Sequence, residues 1–187
     1  MTAEQALYFK LLLILGYTDE LYEYIEKALN EQTPYEDVIV DLAFCGYNDK
    51  QMLSVLEERI RQSKEIDYNI FIDSIFTFLQ NNYPDNDASL KPYVKLMYNM
   101  SLLLQEYNDN PYSEPRLTMM LFDEYYFDAE EGYIDKDEYM DFLKAFVFER
   151  KCNNDFQFYK PVREQSEIKR YLQKLKNKLK QLKGRLL

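Results

Sequence analysis

Gly16-Tyr17-Thr18-Asp19 recurs thirty residues on as Gly46-Tyr47-Asn48-Asp49, and these four residue types make a tight helix-to-helix turn. Glycine takes the left-handed C′ position that ends one helix, tyrosine packs back as the hydrophobe that follows, and Thr or Asn caps the next helix. Asn82-Tyr83-Pro84-Asp85 reads as a looser third copy, since asparagine is the next-best residue for the left-handed position. With one such turn inside each pair, residues 2–107 form three stacked αα-hairpins. That arrangement buries one continuous core and offers a broad lateral surface to another macromolecule.

The rest of the chain carries helical signals too. Glycine and proline fall between apolar-periodic segments and β-branched runs are scarce, which predicts helices over 3–15, 18–31, 34–45, 48–63, 68–81, 89–107, 113–127, 135–150 and 163–184. Pro34 and Pro115 stand where a first helical turn tolerates a missing N–H. Met52, Val55, Leu56 and Ile60 make one stripe on 48–63, whereas 70–79 (IFIDSIFTFL) is apolar around most of its circumference and is expected at the centre. The fold class is therefore all-α: stacked αα-hairpins, readable as helical repeats, with a basic amphipathic helix at the C-terminus.

Charge divides the chain. Residues 1–159 carry 13 Lys/Arg against 31 Asp/Glu, net −18, while residues 160–187 carry 10 against 2, net +8. This sets an acidic helical domain, 1–159, apart from a basic segment, 160–187, and points to binding by charge. In the basic segment Ile168, Leu172, Leu175, Leu179, Leu182 and Leu186 step by four and three, a heptad seam surrounded by lysines. Such a helix can pack on its own acidic domain, pair with a second copy, lie on an anionic membrane or track phosphates. Effective concentration favours the first, leaving a monomer, or a homodimer if the seam pairs. The acidic domain disfavours direct binding to nucleic acid, and a membrane role is not favoured either.

Several chemistries lack their parts. The chain has no histidine, so no Ser-His or Cys-His pair and no imidazole base can form. Four glycines and no GxGxxG or GxxxxGK[ST] leave little for a phosphate-cradling loop. Cys45 and Cys152 stand alone without CxxC spacing and read as reduced structural thiols. Leu11–Leu15 is too short to span a bilayer and has neither a basic leader nor a small-residue cleavage site, so a cytoplasmic location is expected. No cofactor is expected, and the chain reads as a binding protein, not an enzyme.

Residues 119–146, MMLFDEYYFDAEEGYIDKDEYMDFLKAF, resemble an EF-hand: an entering helix, an acidic loop, Gly132 with Ile134 after it, and Glu138 before the apolar positions Tyr139, Phe142 and Leu143. The resemblance implies a sharp bend at glycine and calcium held by Glu138, with Asp128 and Glu130 as the other candidate ligands. The ligand spacing departs from the family's: counting back from Gly132 puts Phe127 and Ala129 at the first and third ligand positions. Read without the resemblance, the same residues are an acidic turn followed by a helix with Asp135 as N-cap and Glu138 at N3.

Nine carboxylates, Asp123, Glu124, Asp128, Glu130, Glu131, Asp135, Asp137, Glu138 and Asp141, lie among Tyr125, Tyr126, Tyr133 and Tyr139. Like charges at this density repel, an arrangement suited to a basic cover, and tyrosine supplies anchoring area at low entropic cost. The expected partner-binding residues are Asp123, Glu124, Tyr125, Asp128, Glu130, Glu131, Tyr133 and Asp135. The function expected from this pattern is a small acidic inhibitor or immunity-type protein that neutralises a basic partner, such as a nuclease toxin or nucleic-acid-binding protein. The alternatives are a calcium-responsive adaptor and, behind it, a carboxylate-based metalloenzyme.

Overall fold

The computed structural model describes residues 1–31, 33–105 and 114–153, and among them every regular element is a helix. In chain order these are α1 (Ala3–Leu15), α2 (Asp19–Glu31), α3 (Asp37–Phe44), α4 (Asp49–Arg61), α5 (Tyr68–Asn81), α6 (Asp87–Leu104), α7 (Arg116–Glu130) and α8 (Lys136–Glu149). No described helix is long and apolar enough to cross a membrane. The basic heptad segment expected over 163–184 lies outside the described residues. The chain forms two compact units, Met1–Asp123 and Glu124–Leu187, with the division inside α7; the charge boundary expected at residue 160 lies outside the described residues.

Helix boundaries follow local chemistry. Thr2 and Gln5 form a reciprocal capping box at the start of α1: the Thr2 hydroxyl oxygen accepts from the Gln5 N–H at 3.2 Å, and the Gln5 side chain accepts from the Thr2 N–H at 2.9 Å. α1 then ends in a Schellman motif, with Gly16 at φ +82° donating to the Leu13 carbonyl and Tyr17 N–H to that of Leu12. Gly46 is also left-handed, at φ +57°, and donates to Ala43. Asn48 caps α4 by accepting from the Gln51 N–H at 3.2 Å.

The expected third copy departs from this pattern. Asn82 is not left-handed, at φ −106° and ψ 16°, because its side-chain amide donates to the Phe78 carbonyl at 2.9 Å and ends α5 that way. The two prolines also stand ahead of their helices. Pro34 lies in the turn before α3, and the Pro115 carbonyl accepts the first bond of α7, from the Met119 N–H.

In the first unit α1 is the hub. It packs on α2, α4, α5 and α6, while α3 pairs with α2 and α4. Ala3, Ala6, Leu7, Tyr8, Phe9, Leu11, Leu12 and Leu13 are all buried, so α1 is apolar around its circumference. α5, expected at the centre, is instead one-sided: Phe71, Ile75, Phe76, Phe78 and Leu79 are buried while Tyr68, Ile70 and Asp73 face solvent. Polar ties fix the hub. Tyr8 Oη donates to Glu20 at 2.6 Å, Lys10 Nζ pairs with Glu57 at 3.1 Å, and the Asp67 N–H donates to Glu4 at 3.0 Å. Between α6 and α5 the buried Tyr93 Oη donates to the Leu79 carbonyl at 2.8 Å. The start of α7 is anchored by buried Arg116, whose Nε donates to the Ser101 carbonyl at 2.9 Å.

Candidate protein-docking site

α7 and α8 face one another through rings. Within the second unit Tyr125 packs on Phe142 with centroids 6.0 Å apart, Tyr126 meets Tyr139 edge-on at 6.2 Å, and Tyr139, Phe142, Leu143, Phe146 and Val147 are buried. Burying that stripe leaves the opposite face of α7 in water. The helices are joined by a short turn in which Gly132, at φ +73°, donates to Ala129 and Tyr133 N–H donates to Asp128 at 2.8 Å. This is a second Schellman motif, and its sequence, Gly132-Tyr133-Ile134-Asp135, is a further copy of the glycine-tyrosine turn. Asp135 caps α8, its Oδ1 accepting from the N–H groups of Asp137 at 2.9 Å and Glu138 at 3.2 Å.

The outer face of α7 has a defined centre. Phe127 is 59% exposed, and the residues three and four positions to either side are Asp123, Glu124, Glu130 and Glu131. Side chains at those offsets are neighbours on a helix surface, so four carboxylates, all exposed, surround one solvated aromatic ring. No basic residue occupies the last turn of α7. Asp128 and Glu130 therefore sit where the helix dipole already presents negative charge, and Asp128 also meets Glu124 and Glu131 four and three residues away. Lys136 Nζ approaches Glu130 at 3.8 Å across the turn.

The residues singled out from the sequence divide into three groups. Asp123, Glu124, Glu130 and Glu131 lie exposed on the Phe127 face, and Tyr133 is half-exposed in the adjoining turn. Asp128 is partly covered, and Asp135 is committed to capping α8 while remaining exposed. Tyr125 is internal: only 4% of it is exposed and its hydroxyl donates to Asn153 Oδ1 at 2.6 Å, so its ring orders the unit. Of the candidate cation ligands, Asp128 and Glu130 lie on α7 and Glu138 on α8. Among the described residues no group of three or more Cys, Asp and Glu side chains is placed to hold a metal ion.

Phe127 is the residue that sequence reasoning missed. The signal was present in its four acidic neighbours at helical offsets, but an alignment to a calcium loop placed Phe127 in that loop and off the helix. Comparison with protein-family models, with curated proteins and with solved structures finds no match for this chain.

Proposed function

We propose that the chain is a non-catalytic binding protein that neutralises a basic protein by covering its cationic site, and that the partner docks on the outer face of α7. The observation that carries this reading is the exposed Phe127 within its surround of carboxylates. An aromatic anchor supplies apolar area that is desolvated on contact, while surrounding charges steer a cationic partner and set register. The acidic residues at the negative end of α7 weaken the free helix, and a partner's lysines and arginines relieve that repulsion on binding. A nuclease toxin or another nucleic-acid-binding protein presents such a cationic site, and an acidic protein of this size is large enough to cover it.

The test begins with the cytosolic partner recovered by cross-linking in the native host and purified. Binding kinetics are then measured at about 50 and 500 mM salt, where screening lengths differ several-fold. The expected result is an association rate that falls steeply with salt and with Glu130→Lys/Glu131→Lys, and a dissociation rate that rises with Phe127→Ala. Affinity that is indifferent both to salt and to these substitutions refutes the reading.

A further inference from the structure

The most exposed aromatic residues of the described chain lie in the first unit, on the turn between α3 and α4. Phe44 ends α3, Tyr47 follows left-handed Gly46, and each is 86% exposed. Tyr22 of α2 meets Tyr47 edge-on, with centroids 5.2 Å apart. Between them in sequence, Cys45 Sγ donates to the Asp41 carbonyl at 3.2 Å. The left-handed glycine is what places Phe44 and Tyr47 on the crest of a turn, where neither is covered by a helix.

The surroundings select what can cover these rings. Asp41 lies one helical turn before Phe44 and Asp49 two residues after Tyr47, while Asp19 and Glu26 lie one turn to either side of Tyr22; all four are exposed. Lys27 and Lys50, both exposed, are the cations close to these rings in sequence. A second copy of the chain, itself net −10, would bring another acidic domain to this face, which long-range repulsion opposes. A cation is attracted both to the ring faces and to the carboxylates. Among side-chain cations the guanidinium fits best: it is planar, weakly hydrated, stacks on aromatic faces and pairs with carboxylates in the same pose.

We propose that Phe44, Tyr47 and Tyr22 form an open aromatic platform that receives an arginine side chain of a cationic protein partner. The platform uses none of the α7 residues and stands on its own observations, so it holds whether or not the α7 face docks a partner.

The probes are a fluorescent nonaarginine peptide and its nonalysine counterpart, titrated by anisotropy against the full chain. Cation–π contacts to two exposed rings are worth roughly a five- to tenfold change in affinity. The arginine peptide is therefore expected to bind more tightly than the lysine peptide, and Phe44→Ala/Tyr47→Ala to bring it down to the lysine value. Tyr47→Phe, which keeps the ring face, should leave the preference intact. Both changed residues are exposed, and circular dichroism checks that the helices persist. Equal binding of the two peptides, or arginine binding unchanged in Phe44→Ala/Tyr47→Ala, overturns the proposal. So does light scattering that shows a dimer dispersed by the double substitution, because the platform is then a contact between copies. Glu130→Lys/Glu131→Lys separates the two sites: a loss of both peptides equally there, with arginine preference retained, assigns general cation binding to α7 and selectivity to the platform.

Discussion

Replacing Gly16 by alanine isolates the cost of a left-handed backbone from every other effect. The residue sits at φ +82°, and a Cβ built there meets no atom within 4 Å. No steric contact adds to the penalty, which is then the intrinsic one for an L-residue in this region, about 1–2 kcal/mol. Alanine also narrows the unfolded ensemble, which offsets about 0.4–1 kcal/mol. The net expectation is a loss of about 1 kcal/mol, or a fall in Tm of about 2–4 °C for a chain of this size. Asparagine, which tolerates this conformation, should cost less than alanine. Gly132 has the same φ sign, the same open space and the same pair of closing bonds, so Gly132→Ala should match it. Urea titrations followed by circular dichroism at the helical band measure all three substitutions. A cost above about 3 kcal/mol at Gly16 means that the site is packed and not open, and equal costs for Asn and Ala mean that backbone handedness is not what glycine supplies there.

Leu12→Ala on the hub helix should cost about 2–5 kcal/mol, and Ile14→Ala, two residues along but 45% exposed, less than about 1 kcal/mol; similar values for the two would contradict the central placement of α1. Burial and the hydrogen bond to Glu20 hold the Tyr8 hydroxyl well above the ordinary phenol pKa, and burial does the same for Tyr93. A raised folded pKa contributes stability that is fully present below about pH 10 and is lost as pH rises beyond it, so unfolding free energy should decline on the alkaline side, less steeply in Tyr8→Phe; an unchanged alkaline slope in that variant refutes the assignment. Calorimetric titration with calcium should give a Kd no tighter than about 10⁻⁴ M, because Asp128 and Glu130 belong to α7 and the turn that follows is closed by backbone bonds; micromolar binding abolished by Glu138→Gln would overturn this.

Local features of the fold were legible because local chemistry decides them. The glycine-tyrosine pairs specify where α1 and α3 stop, and Asp135 specifies where α8 begins, without reference to any distant residue. Asn82 misled for a physical reason: its amide satisfies the Phe78 carbonyl directly, so a residue suited to left-handed backbone did not need it. The Gly132-Tyr133-Ile134-Asp135 copy went unnoticed because its cap falls on the fourth residue, whereas Asn48, the third, caps α4. Helix order around the core was less accessible. The apolar runs of α1 and α5 look alike in sequence, and which one becomes the hub depends on how many partners close on it from far along the chain. The candidate face was legible in its acidic composition, but the division of α7 into an inward stripe carrying Tyr125 and an outward one carrying Phe127 could not be read without α8 in place.

The position of α1 has a consequence during synthesis. α1 is made first of the eight helices, and its last helical partner, α6, is finished only at Leu104. At ordinary elongation speeds of 5–20 residues per second, roughly 5–20 s separate the two events. Through that interval a largely apolar helix has α2 and then α4 to cover it, while the surfaces destined for α5 and α6 stay bare. Slowing translation between residues 60 and 104 is therefore expected to lengthen the period in which the emerging chain can aggregate through residues 3–15.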